Sequence, residues 1–228
     1  RPGVWAARLY NRGMDTHGRP TGFIDAHVHI LPRTRLAGLM RWIRRAFPNH
    51  PVPGDVDRAR IESDLAAGGA RLFFNLVYPL EPGETPALNA FNRDLARRLP
   101  HCAAWGSLHP HTTDKAAITE ACIRDFGFAG MKFHPFVQRF SITDPAMDPV
   151  YDTLDALARP LFIHTGFDDF YGMSMPPEQV AELVAHRPRM PVILSHMLFP
   201  RLRQALELMD AYPQIIGDLT NVPGAIRR

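Results

Sequence analysis

The sequence predicts an α/β fold, a (β/α)8 TIM barrel with about seven of its eight β/α units inside the chain. Three observations carry that expectation. Short apolar, β-rich runs alternate with helical stretches from residue 22 onward, as parallel strands covered on both faces do. No G-x-G-x-x-G loop follows the first run, so a doubly wound dinucleotide-binding sheet is disfavoured. Four of the runs carry histidine near their C-terminal ends, where barrel enzymes place their chemistry.

The elements follow in order. Residues 1–21 read as an N-terminal extension and 22–228 as the barrel domain. The first strand is expected within Gly22–Ile30 and the second within Arg71–Val77, with a helix near Val56–Ala67 between them. Later strands are expected within Cys102–Leu108, Phe128–His134, Leu161–Thr165, Val192–His196 and Ile215–Thr220. Helices are expected near Pro86–Leu99, Asp114–Phe126, Pro149–Ala158, Pro177–His186 and Arg201–Ala211, several of them opening at Pro or just after Asp. Arg33–Pro53 is long for a connection; Leu36, Leu39, Met40, Ile43 and Phe47 recur at helical spacing, with Arg41, Arg44 and Arg45 on other faces. A lid or an oligomer contact is the expectation there, with Arg41 a grip for a substrate carboxylate. The chain starts at Arg1 rather than Met and stops at Arg228 soon after a strand-like run, as a piece of a longer reading frame would. The last strand and helix are expected beyond Arg228.

Composition narrows the class. The 228 residues are 46% hydrophobic and 21% charged, which suits a globular protein rather than a disordered or fibrous one. No apolar run is long enough to span a bilayer, and two cysteines are too few for a disulfide scaffold. A cytoplasmic protein is expected. Only Lys115 and Lys132 are lysine among 26 basic residues. The arginines are interspersed with acids and the net charge is +3, so neither nucleic acid nor a membrane is an expected partner. A small molecule, and in some measure a second copy of the chain, are.

The 11 histidines carry the functional signal. Side chains two apart on a strand share a face, so Asp25, His27 and His29 point one way, as do Lys132 and His134. His164 ends the fifth run and His196 the sixth. One histidine at a strand end is commonly structural; five on four strands indicate a site. Neutral imidazoles bind borderline divalent ions, and a catalytic ion keeps a water position open. Such an ion supplies hydroxide at neutral pH. Asp25 could orient an imidazole through its second nitrogen, with a purely structural hydrogen bond as the equal alternative.

These motifs match a family. Phe23–His29, Ser107–Pro110, Gly130–Pro135, Leu161–Gly166 and Val192–Met197 resemble, in order, strand ends of the amidohydrolase-related ("amidohydrolase 2") branch of the amidohydrolase superfamily. The resemblance covers roughly residues 22–224. It implies a divalent metal, zinc first and manganese as the alternative, held by His27, His29 and His164. His196 would be the catalytic acid/base, or a further ligand. The family's last ligand, an aspartate ending strand eight, would lie past Arg228; Asp218 lies within strand seven and is not assigned that role. Lys132 is expected to be catalytic and unmodified rather than carboxylated, and His134 and Asp168 to bind substrate.

The expected activity is a metal-dependent hydrolase acting through an activated water on a small, carboxylate-bearing substrate. A non-oxidative decarboxylase of the same branch is the alternative. From another class, a non-catalytic barrel partner protein is the rival, although a dead site need not keep its strand-end histidines. Cys102 starts a strand and Cys122 lies mid-helix, so neither is expected to be a nucleophile.

Overall fold

A computed structural model describes residues 22–48, 53 and 56–222. The expected extension 1–21, and residues 49–52 of the Arg33–Pro53 connection, lie outside the described residues. The chain divides into two compact units, one reaching Ala26 and including Ile30–Phe73, the other His27–His29 and Phe74 onward.

The first unit holds most of β1 (Phe23–Val28), helix α1 (Arg33–Ala46), helix α2 (Arg58–Ala67) and the start of β2 (Ala70–Asn75). The helical spacing read in the long connection is real: α1 buries Leu36 and Met40 and exposes Arg41, Arg44 and Arg45. Arg44 and Arg45 fall in its last turn, where the carbonyl-rich end favours cations. The Asp57 carboxylate accepts the Arg60 N–H at 2.8 Å and so caps α2.

The second unit carries the remaining strands, β3 (Cys102–Ala104), β4 (Met131–Phe133), β5 (Leu161–His164), β6 (Val192–Ser195) and β7 (Ile215–Asp218). Its helices are α3 (Glu84–Arg98), α4 (Lys115–Arg124), α5 (Pro135–Gln138), α6 (Asp148–Leu157), α7 (Asp168–Tyr171), α8 (Pro177–Ala185) and α9 (Leu202–Ala211). Strands order as β1-β2-β3 and β4-β5-β6-β7, the latter all parallel. A parallel bridge between Gly106 and Met131 joins the two sets. It needs glycine, because a Cβ on Gly106 would lie 2.6 Å from Met131 Sδ.

Register assigns the faces. Lys132, Phe162 and Ile193 lie abreast on β4, β5 and β6. Phe162 and Ile193 pack with Leu76 and Trp105 into a small inner core. The alternate residues Met131, Phe133, Leu161, Ile163, Val192, Leu194 and Ile215 face the helices and join Val150, Leu154, Val180 and Leu183 in the main core. Each fully buried side chain of this size contributes roughly 1.5–3 kcal/mol, so this face fixes the register. A one-residue slip would exchange it with the inner face.

Every expected strand appears, but shorter. β3 stops at Ala104 instead of Leu108, because helix side chains take over its backbone bonds. Asn92 Nδ2 donates to the Trp105 carbonyl at 2.7 Å, and Asn89 donates to Ser107 O and accepts from Ser107 N–H at 2.8 and 3.0 Å.

Candidate active site

The inner-face layer after Lys132–Phe162–Ile193 is polar: His164, Ser195 and Asp218 are register partners at the C-terminal ends of β5, β6 and β7. His27 is the fifth residue of β1, and His29 and His134 directly follow β1 and β4. His196 follows β6 in a left-handed turn, with φ of 63°, 46° and 54° at His196, Met197 and Leu198. Such backbone costs about 1–2 kcal/mol per residue. The Thr165-Gly166 pair supports it. Thr165 Oγ1 donates to Ser195 O at 2.5 Å and accepts the Leu198 N–H at 3.0 Å. Gly166, at φ 76°, admits the Phe199 backbone where a Cβ would come within 2.6 Å.

Three imidazoles are anchored through Nδ1. His27 donates to Asp218 Oδ2 at 2.6 Å, His29 to the Leu76 carbonyl at 2.8 Å and His196 to the Thr220 carbonyl at 2.5 Å. Each anchor places a proton on Nδ1; in a neutral ring, as at His29 and His196, Nε2 is then left with a lone pair. The His27 ring lies 5.1 Å from His29 and 5.3 Å from His196, and His196 lies 4.6 Å from His164. His164 Nε2 is buried with no hydrogen-bond partner.

Burial sets the charges. It lowers His29 to about 3 and His196 to about 4, and takes His134 and His164 well below the ordinary histidine range. All four are neutral at pH 7. Burial also pulls Lys132 down to about 7, with Asp218 opposing it. Burial alone would raise Asp218, but His27 and the Thr220 bonds more than offset it and hold the carboxyl at about 2.

The other nominated residues sit as follows. Lys132 is fully buried; its Nζ donates to Ser195 Oγ at 3.0 Å and lies 4.6 Å from the Phe162 ring centre, so it acts from one layer below the histidines. His134 is a support: its Nδ1 accepts from the Val137 N–H to cap α5, and its ring lies flat on His164, centres 3.6 Å apart. Asp168 gives Oδ2 to Arg201 and to the Met175 N–H, while its Oδ1 is buried without a hydrogen-bond partner. The orienting role assigned to Asp25 is filled at His27 Nδ1 by Asp218. Arg41 is an exposed residue of α1 in the first unit, and Asp25 is a half-buried one of β1 there.

Sequence reasoning left Asp218 without a role and did not single out Thr220 or Tyr78. Asp218 ends β7 and was legible by the same strand-end logic that nominates the histidines. Tyr78 carries no such signal. It lies 5.1 Å from His134 and 5.9 Å from His29, ring to ring, while the Tyr171 hydroxyl is 3.4 Å from His134 Nε2.

The donors suit a divalent ion in kind: imidazoles with bound Nδ1, and a buried, partnerless Nε2 on His164. They do not stand as a closed triad. Among the described residues no three His, Cys, Asp or Glu side chains are set to hold an ion, and His164 is stacked on His134.

Comparison with known proteins gives the fold and family context. A family model described as amidohydrolase matches residues 24–225. No curated protein matches. Among solved structures, an uncharacterized TIM-barrel protein from Bordetella bronchiseptica superposes with a TM-score of 0.65 at 18% identity, covering 87% of this chain and 75% of its own. A 5-carboxyvanillate decarboxylase from Novosphingobium aromaticivorans, complexed with manganese and a nitrobenzoic acid, gives 0.61 at 14%, covering 85% and 68%. A 2,6-dihydroxybenzoate decarboxylase from Rhizobium gives 0.51 at 16%, covering 83% and 69%. At such identities the likeness establishes the fold class, the (β/α)8 barrel. Among the described residues no helix is long and apolar enough to cross a membrane.

Proposed function

This chain belongs to the amidohydrolase family, and from that membership we propose that it is a metal-dependent hydrolase of a small, carboxylate-bearing substrate. The observation that carries the reading is the set of three Nδ1-anchored imidazoles, His27, His29 and His196, beside the partnerless Nε2 of His164. His27, His29 and His164 would hold the ion, zinc or manganese. Bound there, it would supply a Lewis acid and a nucleophilic water. His196, neutral at pH 7 and donating through Nδ1, keeps Nε2 to take a proton from the attacking water and return it to the leaving group. Lys132 acts through Ser195 and through its partial charge rather than by touching substrate.

Carboxy-lyase chemistry is the second reading. It is favoured by the aromatic surroundings of His134 and His164, where Tyr78, Phe136 and Tyr171 would suit a flat arene, and by the decarboxylases among the fold relatives. There His196 would protonate the ring carbon that loses its carboxylate.

One experiment separates them. The protein loaded with zinc or with manganese is offered esters, lactones and amides, and separately aromatic acids, with acid release and carbon dioxide release followed in parallel. The hydrolase reading expects acid release, lost in a His27→Ala/His29→Ala variant that no longer retains metal. Carbon dioxide release alone would transfer the assignment to the lyase. Metal retained by the double variant would overturn both.

A further inference from the structure

Two anchored imidazoles share one source. His27 Nδ1–H ends on the Asp218 carboxylate, and His196 Nδ1–H on the Thr220 carbonyl. Asp218 and Thr220 are themselves tied. Asp218 Oδ1 accepts the Thr220 N–H at 2.8 Å and the Thr220 hydroxyl at 2.7 Å. The intervening Leu219 is exposed. We propose that Asp218-Leu219-Thr220, at the end of β7, is an orienting bracket that fixes the tautomer and direction of His27 and His196 together.

A neutral imidazole free in water exchanges its proton between Nδ1 and Nε2; an acceptor fixed at Nδ1 removes that freedom. Asp218 is set to be such an acceptor: Oδ2 receives the His27 Nδ1–H, and Oδ1 receives both Thr220 bonds. The two Thr220 bonds stop the carboxylate from turning, so Oδ2 stays aimed at His27. The same residue turns its carbonyl to His196. A shift of this one segment therefore moves the proposed ligand and the proposed proton carrier in concert. Asp218 and Thr220 act through the imidazoles and are positioning residues.

The bracket rests on the proposed function only for its effect on metal; the tautomers can be read without any ion. The test is 15N NMR of the histidine side chains in the metal-free protein, followed by zinc titration. In the wild-type protein both His27 and His196 are expected as Nδ1–H tautomers. In Asp218→Asn, His27 is expected to give a mixed signal while His196, held by a backbone carbonyl, changes little. Zinc affinity is expected to fall about 10–100-fold, as for other residues that orient ligands. Thr220→Val removes the hydroxyl that steadies Asp218 and should loosen His27 in part, and Thr220→Ser should restore it. This pair decides the matter if Asp218→Asn fails to fold. An unchanged His27 tautomer in Asp218→Asn, or equal spectra for Thr220→Val and Thr220→Ser, would overturn the bracket. A wild-type protein with fixed tautomers but no zinc affinity would sink the metal-dependent function and leave the bracket standing.

Discussion

At the scale of single residues, Lys132 is a costly side chain to keep. Its cation is buried with one hydroxyl and one aromatic face as company, and burial lowers it from 10.5 to about 7. A base whose folded value lies below its unfolded value destabilises the fold most fully below pH 7, and this cost fades as pH rises toward 10.5. Lys132→Met should therefore stabilise the protein at pH 7 by roughly 2–4 kcal/mol, net of the lost Ser195 bond. Denaturant melts at pH 7 and pH 10 would show the gain shrinking at the higher pH, while turnover drops in the variant at both; a pH-independent gain would refute the account. Cys122 makes the opposite acid–base point. Burial pushes its thiol up to about 12, so at pH 8 only about one molecule in 10,000 carries the thiolate. A Cys102→Ser variant should not react with a disulfide reagent when native and should show one full equivalent in denaturant. Native reactivity would mean that Cys122 is reached by solvent.

At the scale of elements, α3 takes over the lateral bonding that a longer β3 would have made. Asn92 donates to the carbonyls of Asn75 and Trp105 and accepts from the Asn75 amide, at 3.2, 2.7 and 2.8 Å. Asn89 binds both backbone groups of Ser107, and Thr85 Oγ1 accepts the His109 N–H. Removing one of these amides strips bonds from buried groups that water cannot reach. Asn92→Ala should cost about 2–4 kcal/mol, read as a lower urea midpoint with an unchanged slope; a loss below about 0.5 kcal/mol would show that water takes the amide's place. The same helix shows what sequence could and could not reveal. Strand positions were legible because Phe162 and Ile193 alternate with outward Leu161, Ile163, Val192 and Leu194, a period set by the backbone alone. Strand ends were not, because whether a carbonyl bonds to a strand or to Asn92 depends on a helix elsewhere in the chain. The site divides likewise. His27, His29, His164 and His196 could be read because strand ends converge in this fold. That Asp218 reaches His27, that Arg201 claims Asp168 and that His134 caps α5 all follow from side-chain pairing across chain distance, which no local pattern encodes.

At the scale of the whole molecule, His27 and Asp218 are hydrogen-bonded although 191 residues separate them. The second unit thus ties its earliest residues, His27–His29, to its last strand through the candidate site itself. An ion held by His27, His29 and His164 would add a second long-range link, from the end of β1 to the end of β5, and anything that binds only the folded chain stabilises it by mass action. At a hundred times its dissociation constant the gain is about 2.7 kcal/mol. For a chain of this size about 2–4 °C of melting temperature accompanies each kcal/mol, so zinc or manganese should raise the melting temperature by roughly 5–10 °C. The His27→Ala/His29→Ala variant should melt at the same temperature with or without the ion, since the donors that distinguish folded from unfolded chain are gone. An equal rise in both proteins would locate binding elsewhere, at surface histidines such as His186. No rise in either, with both proteins folded, would mean that the imidazole cluster is a hydrogen-bonded tie between distant segments and not a metal site.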